Sequence, residues 1–340
     1  MKRALFAFTL TALIISATLD GAAGIGSKQA QNNSLPQGIS SRRVNIWSDG
    51  TRLSGDLFYP ATMKAEDKLP AIILCHGWGG VREHLNRAYA PQFAAAGFVV
   101  LTFDYRGWGD SDSRLVLKEQ MPKLDEKGQA TVRVQAIREL VDPFDQTEDI
   151  ISAINFIEGE PGVDSSRIGL WGTSYGGGHV LYVAAHDDRV KCIVSQVGSM
   201  DSLSIAQNPV YKGGLQRAQR EAVQRARGEG GVDPVPQGVD NFPNLRGTPF
   251  VSRMVKYRPV EFANQLRVPF LIIDAEKEEL FDIKMNGGLV YQRIKNKVPA
   301  KYEIIPNITH YGIYTTARKD ATDMALEWFA KHLKGARAMK

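Results

Sequence analysis

The sequence predicts an α/β fold in which an antiparallel start leads into a doubly wound, mostly parallel sheet. Short runs of Val, Ile and Leu recur along the chain, separated by helix-length segments, and strands buried on both faces have this continuous apolar character. Ahead of them, two strand-like runs meet at Asp49-Gly50, a dipeptide suited to the tight turn of a hairpin. The third observation is compositional: 340 residues, 43% hydrophobic and 23% charged, with 32 Gly and only 2 Cys. That is enough chain for a large core and has none of the bias of a collagen-like, disordered or disulfide-scaffold protein.

The elements follow in order. Met1, Lys2 and Arg3 precede an apolar run from Leu5 to Leu19 and the small residues Gly21-Ala22-Ala23-Gly24. This pattern predicts a secretory signal peptide over residues 1–23, cut after Ala23 or alternatively after Ala30, and a secreted or periplasmic protein. The apolar run falls short of the roughly 20 residues that cross a bilayer, so no stable membrane anchor is expected after signal removal. Residues 24–40 are polar and form a flexible lead-in, and residues 41–338 make up the folded domain. Strands are expected at Arg43 to Trp47, Arg52 to Tyr59, Ala71 to Cys75, Phe98 to Phe103, Ile168 to Trp171, Val190 to Ser195, Phe270 to Asp274 and Tyr302 to Ile305. Helices are expected at Tyr89 to Ala96, Asp145 to Glu158, Gly177 to Ala185, Ile283 to Lys295 and Ala317 to Leu333.

Two stretches break the alternation. Residues 112–143 and 199–262 are rich in Gly, Pro and polar residues and are read as insertions over the carboxyl edge of the sheet, where open α/β sheets bind ligands. Within the second, Leu215 to Arg227 is an Arg-rich helical segment with Arg217/Glu221 and Glu221/Arg225 at i,i+4 spacing. A solvated, salt-bridged face is the plain reading, and a clamp for an anionic substrate is the alternative.

The formal charge is +5, from 42 basic and 37 acidic residues, and residues 201–262 hold nine Lys or Arg against six Asp or Glu. No basic run is interleaved with aromatics, which excludes a nucleic-acid footprint. Cys75 and Cys192 fall in two central strands. If a further strand lies between them they are separated by about twice the ~4.8 Å interstrand spacing, too far for a disulfide, so two free buried thiols are expected.

Candidate chemistry begins with Gly172-Thr173-Ser174-Tyr175-Gly176, placed between a strand and a helix. A nucleophile on so sharp a turn needs glycine on both sides, here Gly172 and Gly176, and the helix behind it favours developing negative charge. His76-Gly77-Trp78-Gly79-Gly80 follows another central strand, and the amides of Trp78 and Tyr175 can form an oxyanion hole. His76 itself is read as shaping this loop. A serine needs a base. Of six histidines, His310 stands in the loop after the last strand, whereas His84 lies in a charged surface segment, His332 in a terminal amphipathic helix beside Lys331 and Lys334, and His179 and His186 point away from the turn. The acid that orients it is sought after Asp274, where Glu278 is preferred and Glu279 and Asp282 are rivals; Asp201, after the preceding strand, is a further rival.

The order Ser174, Glu278, His310, with His76-Gly77-Trp78-Gly79-Gly80 and Asp104-Tyr105-Arg106-Gly107-Trp108-Gly109-Asp110-Ser111, resembles the α/β-hydrolase superfamily, and within it the dienelactone-hydrolase-like and X-Pro-dipeptidyl-peptidase-like serine hydrolases. Ser48 to Pro60 resembles their opening hairpin, and the likeness spans residues 42–335. It implies an α/β-hydrolase fold: a mostly parallel eight-stranded sheet, helices on both faces, a lid insertion, and hydrolysis through an acyl-enzyme. The chain departs in carrying Glu at the acid position and Ser where dienelactone hydrolase has Cys. The expected function is a serine hydrolase of carboxylic esters on a small-molecule or oligomeric substrate. It would need no cofactor and no metal, since no His or Cys pair has ligand spacing. A peptidase or amidase of the same fold is the alternative, and a non-catalytic binding protein a second one.

Overall fold

Runs such as Ala71 to Cys75 have no polar side to turn to water, so they are stable only inside a sheet covered on both faces. The computed structural model describes residues 35–207, 213–229 and 246–334, and that is where it puts them. The signal segment, most of the lead-in and parts of the lid (208–212 and 230–245) lie outside the described residues. Eight strands form the sheet: β1 (Ile39–Ser48), β2 (Thr51–Pro60), β3 (Leu69–Cys75), β4 (Val99–Phe103), β5 (Val163–Thr173), β6 (Val190–Gln196), β7 (Phe270–Lys277) and β8 (Ala300–Thr309). Their spatial order is β1-β2-β4-β3-β5-β6-β7-β8. The pairs β1/β2 and β2/β4 are antiparallel and the rest parallel. β1 starts two residues inside the segment read as lead-in. Asp49 (φ 45°) and Gly50 (φ 75°) both take positive φ, the conformation that closes a two-residue hairpin without splaying its right-twisted strands.

Alternate strand residues feed two cores. Ile73, Leu101, Leu170, Ile193 and Ile272 pack with α3 (Pro143–Glu158), α4 (Tyr175–Ala184) and α8 (Gly287–Ile294). On the other face Ile72, Leu74, Val100, Trp171 and Val194 pack with α2 (Ala90–Ala95) and α9 (Arg318–Phe329). The helix expected over Tyr89 to Ala96 is preceded by a second one, α1 (Arg82–Ala88), and the chain breaks between them at Tyr89. α1 carries few apolar residues, so periodicity does not reveal it. Pro91 restricts Ala90 and lacks an N–H, so one helix does not run through. Asp142 caps α3, accepting the Phe144 amide at 3.1 Å.

The first insertion carries a small ribbon, Leu115–Leu117 against Val134–Ala136. The lid contributes α5 (Ser202–Gln207), α6 (Gly214–Ala226), α7 (Val251–Met254) and the 3-10 turn Pro259–Gln265. Thr248 and Pro249 pair with Leu140 and Val141, which ties the lid to the first insertion. β5 separates the strands of Cys75 and Cys192, and both thiols are free and buried. Among the described residues no helix is long and apolar enough to cross a membrane.

Strand order reverses beside β3: the chain leaves β3 toward β4, and leaves β5 in the opposite direction toward β6. A crevice opens at the carboxyl ends of two such strands because their crossovers diverge. The loops that border it are His76–Gly80 and the turn at Ser174.

Candidate active site

Ser174 sits between the end of β5 and the start of α4 with φ 53° and ψ −121°, a strained backbone for a non-glycine residue. Neighbouring glycines make room for it. A Cβ on Gly172 would stand 2.2 Å from the Gly176 carbonyl oxygen, and one on Gly176 would stand 2.4 Å from that of Cys75. Gly77 approaches the serine itself: a Cβ there would lie 2.7 Å from Ser174 Cβ. The loop bearing Trp78 therefore abuts the serine, as its Gly content predicts.

His310 opens a 3-10 turn directly after β8 and is only 2% exposed. Its Nε2 lies 3.1 Å from Ser174 Oγ and its Nδ1 2.8 Å from Glu278 Oε2. Phe281 stands nearly perpendicular to the imidazole, with ring centroids 5.8 Å apart, and Tyr311 and Tyr314 pack around it. The structure thus brings Ser174, His310 and Glu278 into one hydrogen-bonded chain. Of the rival carboxylates, Glu279 accepts the backbone N–H of His310 at 2.7 Å, Asp282 accepts that of Lys284 at 2.8 Å, and Asp201 pairs with Arg258 at 3.1 Å.

Trp78 and Tyr175 meet at 5.8 Å between ring centroids. The indole N–H of Trp78 donates to the Arg246 carbonyl in the lid at 2.9 Å, and the Tyr175 hydroxyl bonds with Ser202 of α5 at 3.3 Å. Both residues expected to supply oxyanion amides are therefore anchored to the lid by their side chains. His76 shapes its loop through Nδ1 and the Gly77 carbonyl at 3.0 Å. Burial holds its imidazole down at about 4, so it stays neutral.

Three supports were not visible in the sequence. Behind Tyr175, buried His179 bonds Tyr257 at 2.7 Å and Gln146 at 2.9 Å, and burial lowers its titration to about 3. Beneath the Trp78 loop, Arg82 gives its amide to Asp104 at 2.7 Å while its guanidinium holds Asp56, Asp110 and Asp104. At the end of β7, burial pushes the Asp274 carboxyl up to about 7. The Tyr302 hydroxyl, donating at 2.9 Å, pulls the other way, and the charge of Glu278 adds to the rise. The Asp-Tyr-Arg-Gly motif contains Asp104, but its partner Arg82 is signalled only by its position after Gly79-Gly80-Val81.

Above Ser174 lies a cavity of about 620 Å³, lined mainly by apolar groups including Trp78, Leu85, Met254, Phe281 and Tyr311, with His310 and Ser174 in its wall. The arrangement suits acyl transfer: a hydroxyl beside a nitrogen base, the base held by a carboxylate, and backbone amides at a helix start next to an apolar chamber.

Comparison with known proteins bears on the family and the fold. Residues 70–229 match the family model described as alpha/beta hydrolase fold, and residues 150–311 the model described as BAAT / Acyl-CoA thioester hydrolase C terminal. Over 288 residues the chain is 33% identical to an uncharacterized 31.7 kDa protein in the traX-finO intergenic region of Escherichia coli, covering 78% of this chain and 92% of that protein. It is 36% identical over 180 residues to the quorum-quenching protein AidA of Acinetobacter baumannii, 52% of this chain and 50% of the relative. The hypothetical protein PA2218 from Pseudomonas aeruginosa superposes with a TM-score of 0.68 at 21% identity, over 88% of this chain and 96% of that structure. With the strand order, the strained serine turn and a relative matched over nearly its whole length, the chain belongs to the α/β-hydrolase superfamily.

Proposed function

We propose that this protein is a serine hydrolase that cleaves carboxylic esters through an acyl-enzyme. Ser174 Oγ attacks the acyl carbon as its proton passes to His310 Nε2, and Glu278 at Nδ1 holds the ring in the tautomer that can accept it. The amides of Trp78 and Tyr175 take the developing oxyanion, helped by the positive end of α4. His310 returns the proton to the departing alcohol, and water then repeats the sequence on the acyl-enzyme. The observation that carries this reading is the chain Ser174 Oγ, His310 Nε2 at 3.1 Å and Glu278 Oε2 at 2.8 Å from Nδ1. A fluorophosphonate probe tests it: covalent labelling at Ser174, absent from Ser174→Ala, supports the mechanism, and an unlabelled wild-type protein defeats it.

A thioester reading is favoured by the match to the thioester-hydrolase family model over residues 150–311. The same four roles serve either substrate, since only the leaving atom changes from oxygen to sulfur. Oxygen esters and thioesters of one acyl chain, compared by kcat/KM, separate the two. The amino-terminal segment is proposed to direct export, and the mass of the mature chain from its native host tests this: a chain that begins at Gly24 or Gln31 supports it, and one that retains residues 1–23 overturns it.

A further inference from the structure

The cavity over Ser174 has a second character besides its apolar lining. Arg87 of α1, Arg217 of α6 and Arg318 of α9 all line it, with His84 beside Arg87, and no Asp or Glu does so among the described residues. Three arginines from three separate parts of the chain converge on one chamber. In a chain with 42 basic and 37 acidic residues, bulk composition does not account for that one-sidedness. Arg318 makes no hydrogen bond or ion pair through its guanidinium with the described residues. It also stands in the first turn of α9, where the helix dipole disfavours a cation. Arg87 holds Glu83 at 2.8 Å, but both side chains are largely exposed, and such i,i+4 surface pairs are weak enough for a bound anion to displace.

We infer that the substrate is an amphiphilic ester: an apolar portion occupies the chamber, and an anionic group, carboxylate or phosphate, meets the Arg87, Arg217 and Arg318 wall. This rests on the hydrolase reading above and deepens it. Guanidinium groups suit either anion because their planar donors pair with two oxygens at once. The Arg-rich segment of the lid, whose plain reading is a solvated face, thus contributes one side of a clamp through Arg217.

Matched ester pairs test the inference. 4-Nitrophenyl hydrogen adipate against 4-nitrophenyl hexanoate places a carboxylate on the acyl side; glycerol-phosphate hexanoate against glycerol hexanoate places a phosphate on the leaving side. The anionic member of at least one pair is expected to show a kcat/KM advantage of about tenfold, the scale of one charge-assisted hydrogen bond. In Arg87→Ala/Arg318→Ala the anionic-to-neutral ratio falls to near one, mainly through KM. The advantage also shrinks as ionic strength rises from about 20 mM to about 500 mM. Equal turnover within both pairs, or a ratio untouched by the double variant, overturns the inference while leaving the hydrolase reading intact. Binding to Ser174→Ala, measured by calorimetry with adipamic acid against adipamide, reads the same wall without turnover. Tighter binding of the acid supports the clamp even if no ester is cleaved, and equal binding overturns it.

Discussion

Glu279 accepts the backbone N–H of His310 at 2.7 Å, while the preceding residue, Glu278, takes the ring Nδ1 at 2.8 Å. Two consecutive carboxylates on the loop after β7 thus grip one histidine at two points. They are chemically alike, yet only one touches the group proposed to carry the proton.

That difference predicts an asymmetry between the two variants. Glu278→Gln keeps the shape but loses the negative charge that supports the imidazolium, and kcat is expected to fall roughly 10³- to 10⁴-fold. Glu279→Gln disturbs only the placement of the loop, and a loss of about tenfold is expected. Steady-state kinetics with one ester decides it; equal losses would remove Glu278 from its special role.

Gly77→Ala introduces a Cβ at 2.7 Å from Ser174 Cβ. Either the serine or the Trp78 loop must shift, and displacement of reacting groups by about 1 Å costs on the order of 100-fold in rate. Activity should therefore collapse far more than stability does. Kinetics alongside a thermal melt checks this, and a fully active Gly77→Ala protein would contradict the tight approach of loop and nucleophile.

Asp274 makes stability depend on pH with a definite sign. Its folded carboxyl titrates near 7 because of burial, well above the ordinary ~3.9 of the unfolded chain. Between those values the unfolded state releases a proton that the folded state keeps, so this group's contribution falls as pH rises from about 4 to about 7 and is constant above. Asp274→Asn imitates the protonated form and keeps an acceptor for Tyr302. The variant should gain melting temperature over wild type at pH 8, by at least about 2 °C, and the gain should vanish near pH 4.

His76 and His179 act in the opposite sense. Burial lowers them to about 4 and about 3, so they stay neutral in the folded protein while the unfolded chain takes up protons below ~6.5. Stability supplied by these two is complete above that pH and is lost as pH falls toward 4 and 3. His179→Gln should flatten the melting-temperature slope between pH 6.5 and pH 4, measured against its own value at pH 8.

Cys75 and Cys192 should resist a thiol reagent in the native protein, since both are buried and burial raises the pKa of each. Two equivalents are expected to react after denaturation, and a disulfide would appear as their absence.

Sequence alone determined most of the frame because its signals are local. Period and apolar continuity marked the sheet strands, Asp49-Gly50 marked the hairpin, and Gly172 to Gly176 marked the turn that only small residues can make. Even His310 was legible, as the histidine whose loop falls at the carboxyl edge. α1 escaped because its surface face carries no apolar stripe. Among Glu278, Glu279, Asp282 and Asp201 sequence position favoured Glu278, but only the packing puts that carboxylate on His310 Nδ1, since neighbouring carboxylates have the same chemistry and differ in where a loop points them. The convergence of Arg87, Arg217 and Arg318 on one cavity depends on contacts between segments up to more than two hundred residues apart in the chain. Local patterns carry no information about such distances, and only the packing of α1, α6 and α9 around the crevice decides them.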